Sequence, residues 1–168
     1  MIDPEQFLEF CIIPTLKWIE LDSLSARSLV LGTGLVETNL TYINQIGSTK
    51  IGPAAGIYQM EEPTYQDIWD NFLAFHKTLG NKIKWLKASY PNTNAWCQLP
   101  TNLSLATAMC RVHYYRVKDP LPDSSDLIGL ADYWKTHYNT KLGKGTVSTG
   151  QFARAVSVVM ASNRRNPI

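Results

Sequence analysis

Residues Leu35 to Met60 read LVETNLTYINQIGSTKIGPAAGIYQM, and the rest of the chain is organised as helical support for this stretch. Glu37 follows the apolar pair Leu35-Val36, and Thr38-Asn39 mark the point where a helix gives way to loop. A carboxylate in that position can face a cleft while its neighbours face the core. Gly47, Gly52, Pro53 and Gly56 force a sharp turn, and Tyr42-Ile43 and Ile57-Tyr58 on either side are the expected short strands of a hairpin. Gly56-Ile57-Tyr58-Gln59 then returns the chain to the carboxylate.

Upstream, Asp22 or Ser23 can cap the helix that runs through Leu24, Leu31 and Leu35 to Glu37. Ala26, Ser28 and Gly32 lie between and permit close approach of a neighbouring helix. The partial negative charge at a helix C-terminus disfavours a second negative charge there. With apolar walls around it, Glu37 is expected to hold its proton more often than a solvated glutamate does, as a general acid requires. The plainer alternative is a solvated glutamate at a helix end.

Three segments in order, Glu37-Thr38, Gly56-Ile57-Tyr58-Gln59 and Tyr138-Asn139, resemble the pattern of the lysozyme-like superfamily, in particular the lytic transglycosylases of bacteria and phages. That pattern is a catalytic Glu followed by a small hydroxyl residue, a Gly-apolar-x-Gln segment and a later Tyr-Asn pair. Thr38 stands where Ser is usual and Tyr58 where Met or Phe is usual, while His137 and Thr140 replace the small residues around the pair. The phrase ADYWKTHYNTKLGKGT from Ala131 to Thr146 is similar to the last part of phage-encoded members, so the resemblance covers roughly Ser23 to Phe152. It implies a mainly α, lysozyme-like (α+β) fold, a helical bundle around a catalytic-Glu helix with a small β-hairpin.

Composition sets the outer bounds. The 168 residues, 45% of them hydrophobic, suffice for one domain with a sizeable core. Sixteen Lys and Arg against 14 Asp and Glu leave a net charge of +2, too slight to argue for nucleic acid. Cys11, Cys97 and Cys110 are odd in number and lack metal-type spacing, so buried free thiols are expected, with no disulfide framework and no zinc site. His76, His113 and His137 complete no metal-binding pair, and no cofactor is implied. The start MIDPEQFLEF has no charged n-region ahead of an apolar run, so no signal peptide is read, and no run is long enough to span a bilayer.

Along the chain, Asp3 as N-cap and Pro4 at the first helical position start a helix with Phe7, Phe10, Cys11 and Leu16 as its buried stripe. Pro14 should kink or end it, leaving a short segment through Trp18 and Ile19. Residues 1–20 are read as an N-terminal helical extension that cradles the domain or meets a partner, and 163–168 as a basic polar tail. Pro63-Thr64 opens a helix through Ile68, Phe72, Phe75 and Leu79, widened by Trp69 and ended at Gly80-Asn81. Ile83 and Leu86 follow on one side, with Lys82, Lys84 and Lys87 as a solvated face. Tyr90 to Asn94 reads as a loop. A central helix starts at about Asn102 and carries Leu103, Ala106, Met109, Cys110 and His113, the last as a hydrogen-bonded core histidine. After a linker from Val117 to Asp126, the stripe Leu127, Leu130, Ala131, Trp134 and Tyr138 delivers Tyr138-Asn139 to a helix end. Gly143-Lys144-Gly145-Thr146 lacks the spacing of a phosphate loop. Ser148 or Thr149 caps a last helix with Phe152, Ala155, Val156 and Val159 inward.

Cleavage of a glycosidic bond needs a proton donor for the leaving oxygen and a means of stabilising an oxocarbenium-like transition state. Glu37 supplies the proton; Glu61, Glu62 and Asp67 are near in sequence, yet no motif sets one opposite it. By resemblance, the chain is a peptidoglycan lytic transglycosylase that uses Glu37 alone, with assistance from the acetamido group of N-acetylmuramic acid, to give a 1,6-anhydro product. Thr38 then positions Glu37, Gln59 bonds substrate or Glu37 or else ties the hairpin to the core, and Tyr58, Tyr138 and Asn139 position or bind. Tyr42, Tyr58, Trp96 and Tyr115 are aromatics that either stack on sugars or fill core, with core the expectation for each. Two alternatives stay open: a muramidase of the same fold, and a non-enzymatic lysozyme-like component of a phage tail or baseplate. The resemblance places the protein in a tail-associated virion position or in host cytoplasm before release, acting on the periplasm or cell wall. Its partners would be bacterial peptidoglycan and other tail or baseplate subunits, with no nucleic acid and no membrane insertion.

Overall fold

A computed structural model describes residues 1–45, 52–87, 95–138 and 149–165. The chain is mainly helical with one small antiparallel sheet. Helix α1 spans Pro4–Phe7 and α2 Ile13–Trp18, with a π-helical turn at Leu8–Ile12 between them. Asp3 caps α1 by accepting from the backbone of Glu5 and Gln6. Pro14 does not end the helix. The π turn lets the Ile13 N–H donate to Leu8 O, so the chain passes the missing proline donor and stays helical. In this geometry Phe7, Leu8, Cys11 and Ile12 face inward, whereas Phe10, expected in the buried stripe, is 81% exposed. Leu16 and Ile19 are buried as well, so this helical stretch packs one face into the core.

Helix α3, Leu24–Thr38, runs through the interior, with a buried stretch from Ala26 to Leu35. Ser23 Oγ caps it through Ala26 N, and Asp22 instead pairs with the buried Arg27. Its small face meets the last helix, α8, Thr149–Arg165. A Cβ on Gly32 would lie 2.4 Å from Cε1 of Phe152, so hydrogen at this position sets the approach of the two helices.

The hairpin is shorter than expected and shifted along the chain. Strands β1, Ala54–Ala55, and β2, Met60–Glu61, pair antiparallel, with Ala54 opposite Glu61 and Ala55 opposite Met60, and Asn44 forms a bridge to Ala55. Ile57 and Tyr58, expected in a strand, form the turn because both side chains are drawn into the core, and Tyr42 and Ile43 remain half exposed. Gly56 and Gln59 take left-handed backbone, with φ of 74° and 48°. Gly56 is also pressed against Leu99, whose carbonyl oxygen would lie 2.8 Å from an added Cβ. Gly56→Ala is therefore expected to lower unfolding free energy by about 1–3 kcal/mol, measured by urea denaturation, from strain and close approach together.

Helix α4, Glu62–Ile68, continues into a π turn at Trp69–Leu73, and the chain breaks before α5, Lys77–Leu86. The expected single helix thus divides earlier than Gly80-Asn81. Gly80 sits inside α5, where an added Cβ would lie 3.3 Å from Leu73 O, so it admits the preceding turn rather than ending the helix. Phe75, at the break, is 78% exposed and not in the core. A short 3-10 turn at Ala95–Gln98 leads to α6, Leu103–Tyr115, capped by Asn102 through Leu105 N and buried from Leu105 to Tyr114. His113 is a hydrogen-bonded core residue, its Nε2 2.7 Å from His137 O. Helix α7, Leu127–His137, is capped by Asp126 and buries Leu130, Ala131, Tyr133 and Trp134.

Helix α8, Thr149–Arg165, takes in residues expected to be tail: Asn163, Arg164 and Arg165 are helical, and Arg165 pairs with Glu5 of α1 at 3.0 Å. Ser162 of α8 also bonds Glu9. The loop from Tyr90 to Asn94, the glycine-rich phrase at Gly143 to Thr146 and the candidate cap Ser148 lie outside the described residues. Among the described residues, no helix is long and apolar enough to cross a membrane.

Candidate active site

The site is built where α3 ends. Asn39 takes left-handed backbone, with φ 50° and ψ 32°, and its N–H donates to Leu35 O, while Leu40 N–H reaches Gly34 O. This closure satisfies the last carbonyls of α3 and leaves Glu37 in its final turn. Thr38 is buried beside it, and Oγ1 donates to Ile57 O at 2.9 Å and lies 3.2 Å from Gly34 O. The hydroxyl therefore ties the helix end to the hairpin turn. Thr38, 5% exposed, has little surface to offer a ligand.

Glu37 itself is mostly enclosed and keeps an edge to solvent. Its Oε1 accepts from the Trp134 indole at 3.1 Å. Burial raises the carboxyl pKa to about 7, and the Trp134 bond opposes that rise without cancelling it. Close to Glu37, the groups that feel its charge are Cys110 and Tyr114 of α6 and Tyr138 at the end of α7. Burial pushes all of them well above their ordinary pKa values, so they line the carboxyl as neutral groups.

Comparisons of the chain with protein-family models, with curated proteins and with solved structures found no match. The site therefore stands on its own chemistry. A carboxyl with a pKa near 7 is about half protonated at neutral pH, so it can give a proton and take one back within a single cycle.

The other expected residues are distributed unevenly. Tyr138 does reach the site, but its hydroxyl donates inward to Tyr58 O at 2.8 Å and so locks α7 to the hairpin turn. Tyr58 is not a substrate contact: it is 1% exposed, with its hydroxyl 3.1 Å from Thr107 Oγ1 and its ring against Phe7. The expectation of core over sugar stacking holds for this ring. Gln59 is half-buried, and its side-chain amide donates to Gly56 O at 2.8 Å, which closes its own turn. Asn139 lies outside the described residues.

Among the aromatics weighed as stacking groups, Trp96 is core and bonds Met60 O, whereas Tyr42 and Tyr115 are about half exposed. Asp67 is engaged by Asn71 and Arg116, which hold its carboxyl below the usual range. Among the described residues, no group of three or more His, Cys, Asp or Glu side chains is placed to hold a metal ion. The three cysteines are free, Cys11 and Cys110 buried and Cys97 half-buried.

Two site residues were not singled out from the sequence. Trp134 sits one helical turn before Tyr138, so the register that brings Tyr138 to the site brings Trp134 too. Gln151 of α8 donates to Leu35 O at 2.7 Å and braces the end of α3 from outside; nothing in its sequence setting marks it.

Proposed function

We propose that the protein is a peptidoglycan lytic transglycosylase with Glu37 as its acid and base. The observation that carries this reading is the Glu37 carboxyl at the end of α3, held by Trp134 and raised by burial to a pKa of about 7. In the proposed cycle, neutral Glu37 protonates the oxygen that links N-acetylmuramic acid to N-acetylglucosamine, and the bond to the muramyl C1 breaks. The substrate's acetamido group stabilises the cationic centre. The Glu37 carboxylate then takes the proton from the muramyl 6-hydroxyl as that oxygen bonds to C1. Glu37 is neutral again, the product carries a 1,6-anhydro ring, and no water is consumed. A lysozyme-like fold and a phage origin, in a virion tail or as a lysis factor, belong to the same proposal and rest on the motif resemblance.

The alternative, a muramidase of the same fold, would need an ordered water held near Glu37 by Glu61 or Glu62. Mass spectrometry of soluble fragments released from purified peptidoglycan tests the reading. Fragments ending in anhydromuramic acid are expected from the parent and not from Glu37→Gln. Fragments one water heavier would mean a muramidase, and none from folded protein would favour the structural tail component.

A further inference from the structure

We propose that the Trp134 indole determines which oxygen of Glu37 carries the mobile proton, by holding Oε1 as an acceptor and leaving the proton to Oε2. The contact is a built one. Trp134 is 5% exposed, lies on α7, packs its ring 6.2 Å from that of Phe152 and donates Nε1–H to Oε1 at 3.1 Å. An indole nitrogen can only donate, and a buried one left without an acceptor is costly. Whatever the protonation state of Glu37, the oxygen facing the indole is therefore held as the acceptor, and in the neutral acid the carbonyl oxygen is the better one.

Among the described residues, the groups that sense the Glu37 charge have their own protons committed elsewhere. Thr33 donates its one hydroxyl proton to Leu29 O at 2.8 Å, so in its 2.7 Å bond with Tyr114 the phenol is the donor. Tyr138 spends its proton on Tyr58 O. Neither phenol has a second proton to give to Glu37. Cys110, the third group on this side, is kept as a neutral thiol by burial. Among the described residues, Trp134 is thus the donor that breaks the equivalence of the two Glu37 oxygens. Under the transglycosylase reading, on which this role rests, Oε2 is the oxygen that delivers and recovers the proton, and Trp134 is a positioning residue.

Nuclear magnetic resonance on the full chain tests it. The Glu37 side-chain carbon and the Trp134 indole N–H should titrate with one midpoint. Below that midpoint the indole proton should keep the shift of a hydrogen-bonded group, since Oε1 still accepts from it. Removing the donor should raise the Glu37 midpoint by about one pH unit, because the bond favours the ionised form. Trp134→Phe is the simple variant. Replacement of Trp134 by the benzothienyl isostere, which keeps the ring shape and lacks the N–H, covers the case in which Phe perturbs packing. An indole shift that falls to the free value on acidification, or an unmoved midpoint in the isostere, overturns the proposal. These titrations do not depend on turnover: an inactive parent with the expected titrations would sink the transglycosylase and leave the proton assignment standing. If the parent is active, the basic limb of its rate profile should move up by the same interval in the isostere, and an unmoved limb would count against the assignment.

Discussion

Glu37→Gln is expected to abolish glycan cleavage and, above neutral pH, to make the protein more stable than the parent. The activity loss should be at least 10²-fold, roughly the contribution of a positioned general acid. Stability rises because the carboxyl is held in a site that resists its ionisation. A group whose folded pKa lies above its ordinary value stabilises the fold below the ordinary value and withdraws that contribution as pH rises through the folded one. For Glu37 the interval runs from 4.5 to about 7. Above it, the buried carboxylate costs the folded state about 3 kcal/mol at most. Glutamine removes the charge and keeps an amide oxygen for the Trp134 indole, so the packing can stay as it is.

His113 works in the opposite direction. Burial lowers its pKa from 6.5 to about 4 despite the bond with His137 O, so the neutral ring stabilises the fold above 6.5 and that contribution is lost as pH falls towards 4. Between roughly pH 4.5 and 6.5 the two groups offset one another: one loses stability with rising pH, and the other gains it. Urea denaturation of the parent should therefore show little net pH slope from this pair. Glu37→Gln should expose the histidine, with stability climbing steeply from pH 4 to 6.5 and no decline to 7. An identical pH slope in the parent and the variant would mean that Glu37 is not held in a desolvated site, and the acid/base assignment would lose its physical basis.

Much of this arrangement is readable in the residues, for reasons local to each. Asp3, Ser23 and Asn102 cap helices because their short polar side chains reach backbone donors within three residues, a geometry that needs no tertiary partner. The end of α3 at Glu37-Thr38 is local in the same sense, since Asn39 tolerates left-handed backbone. The π turns at Leu8–Ile12 and Trp69–Leu73 are not legible, because a search for 3.6-residue spacing has no place for an added residue. Phe10 and Phe75 were misplaced for that reason. The polar contacts of Tyr58 and Trp134 are hidden for another reason. Both are large aromatics with one polar atom, and whether such a residue lines a cleft or fills the core depends on partners distant in sequence: Thr107 for one and Glu37 for the other.

A bulky residue at position 32 should do more structural damage than any change at the carboxyl. Gly32→Val would place a Cβ 2.4 Å from Cε1 and 2.5 Å from Cδ1 of Phe152, with further methyl groups beyond it. Phe152 is fully buried and cannot swing into solvent, so either its ring leaves its rotamer or α8 moves off α3. The expected loss is about 3 kcal/mol or more, at the upper end for overpacked cores. Displacement of α8 would also take Gln151 from Leu35 O and loosen the turn that carries Glu37, so activity should fall alongside stability. The mechanism can be isolated by a double-mutant cycle with Phe152→Leu. The single change Phe152→Leu should itself be destabilising, yet in the Gly32→Val background it should restore part of the loss, with a coupling of about 1–2 kcal/mol. Additive losses would mean that the two side chains do not compete for one volume, and that the small face of α3 does not set its distance from α8.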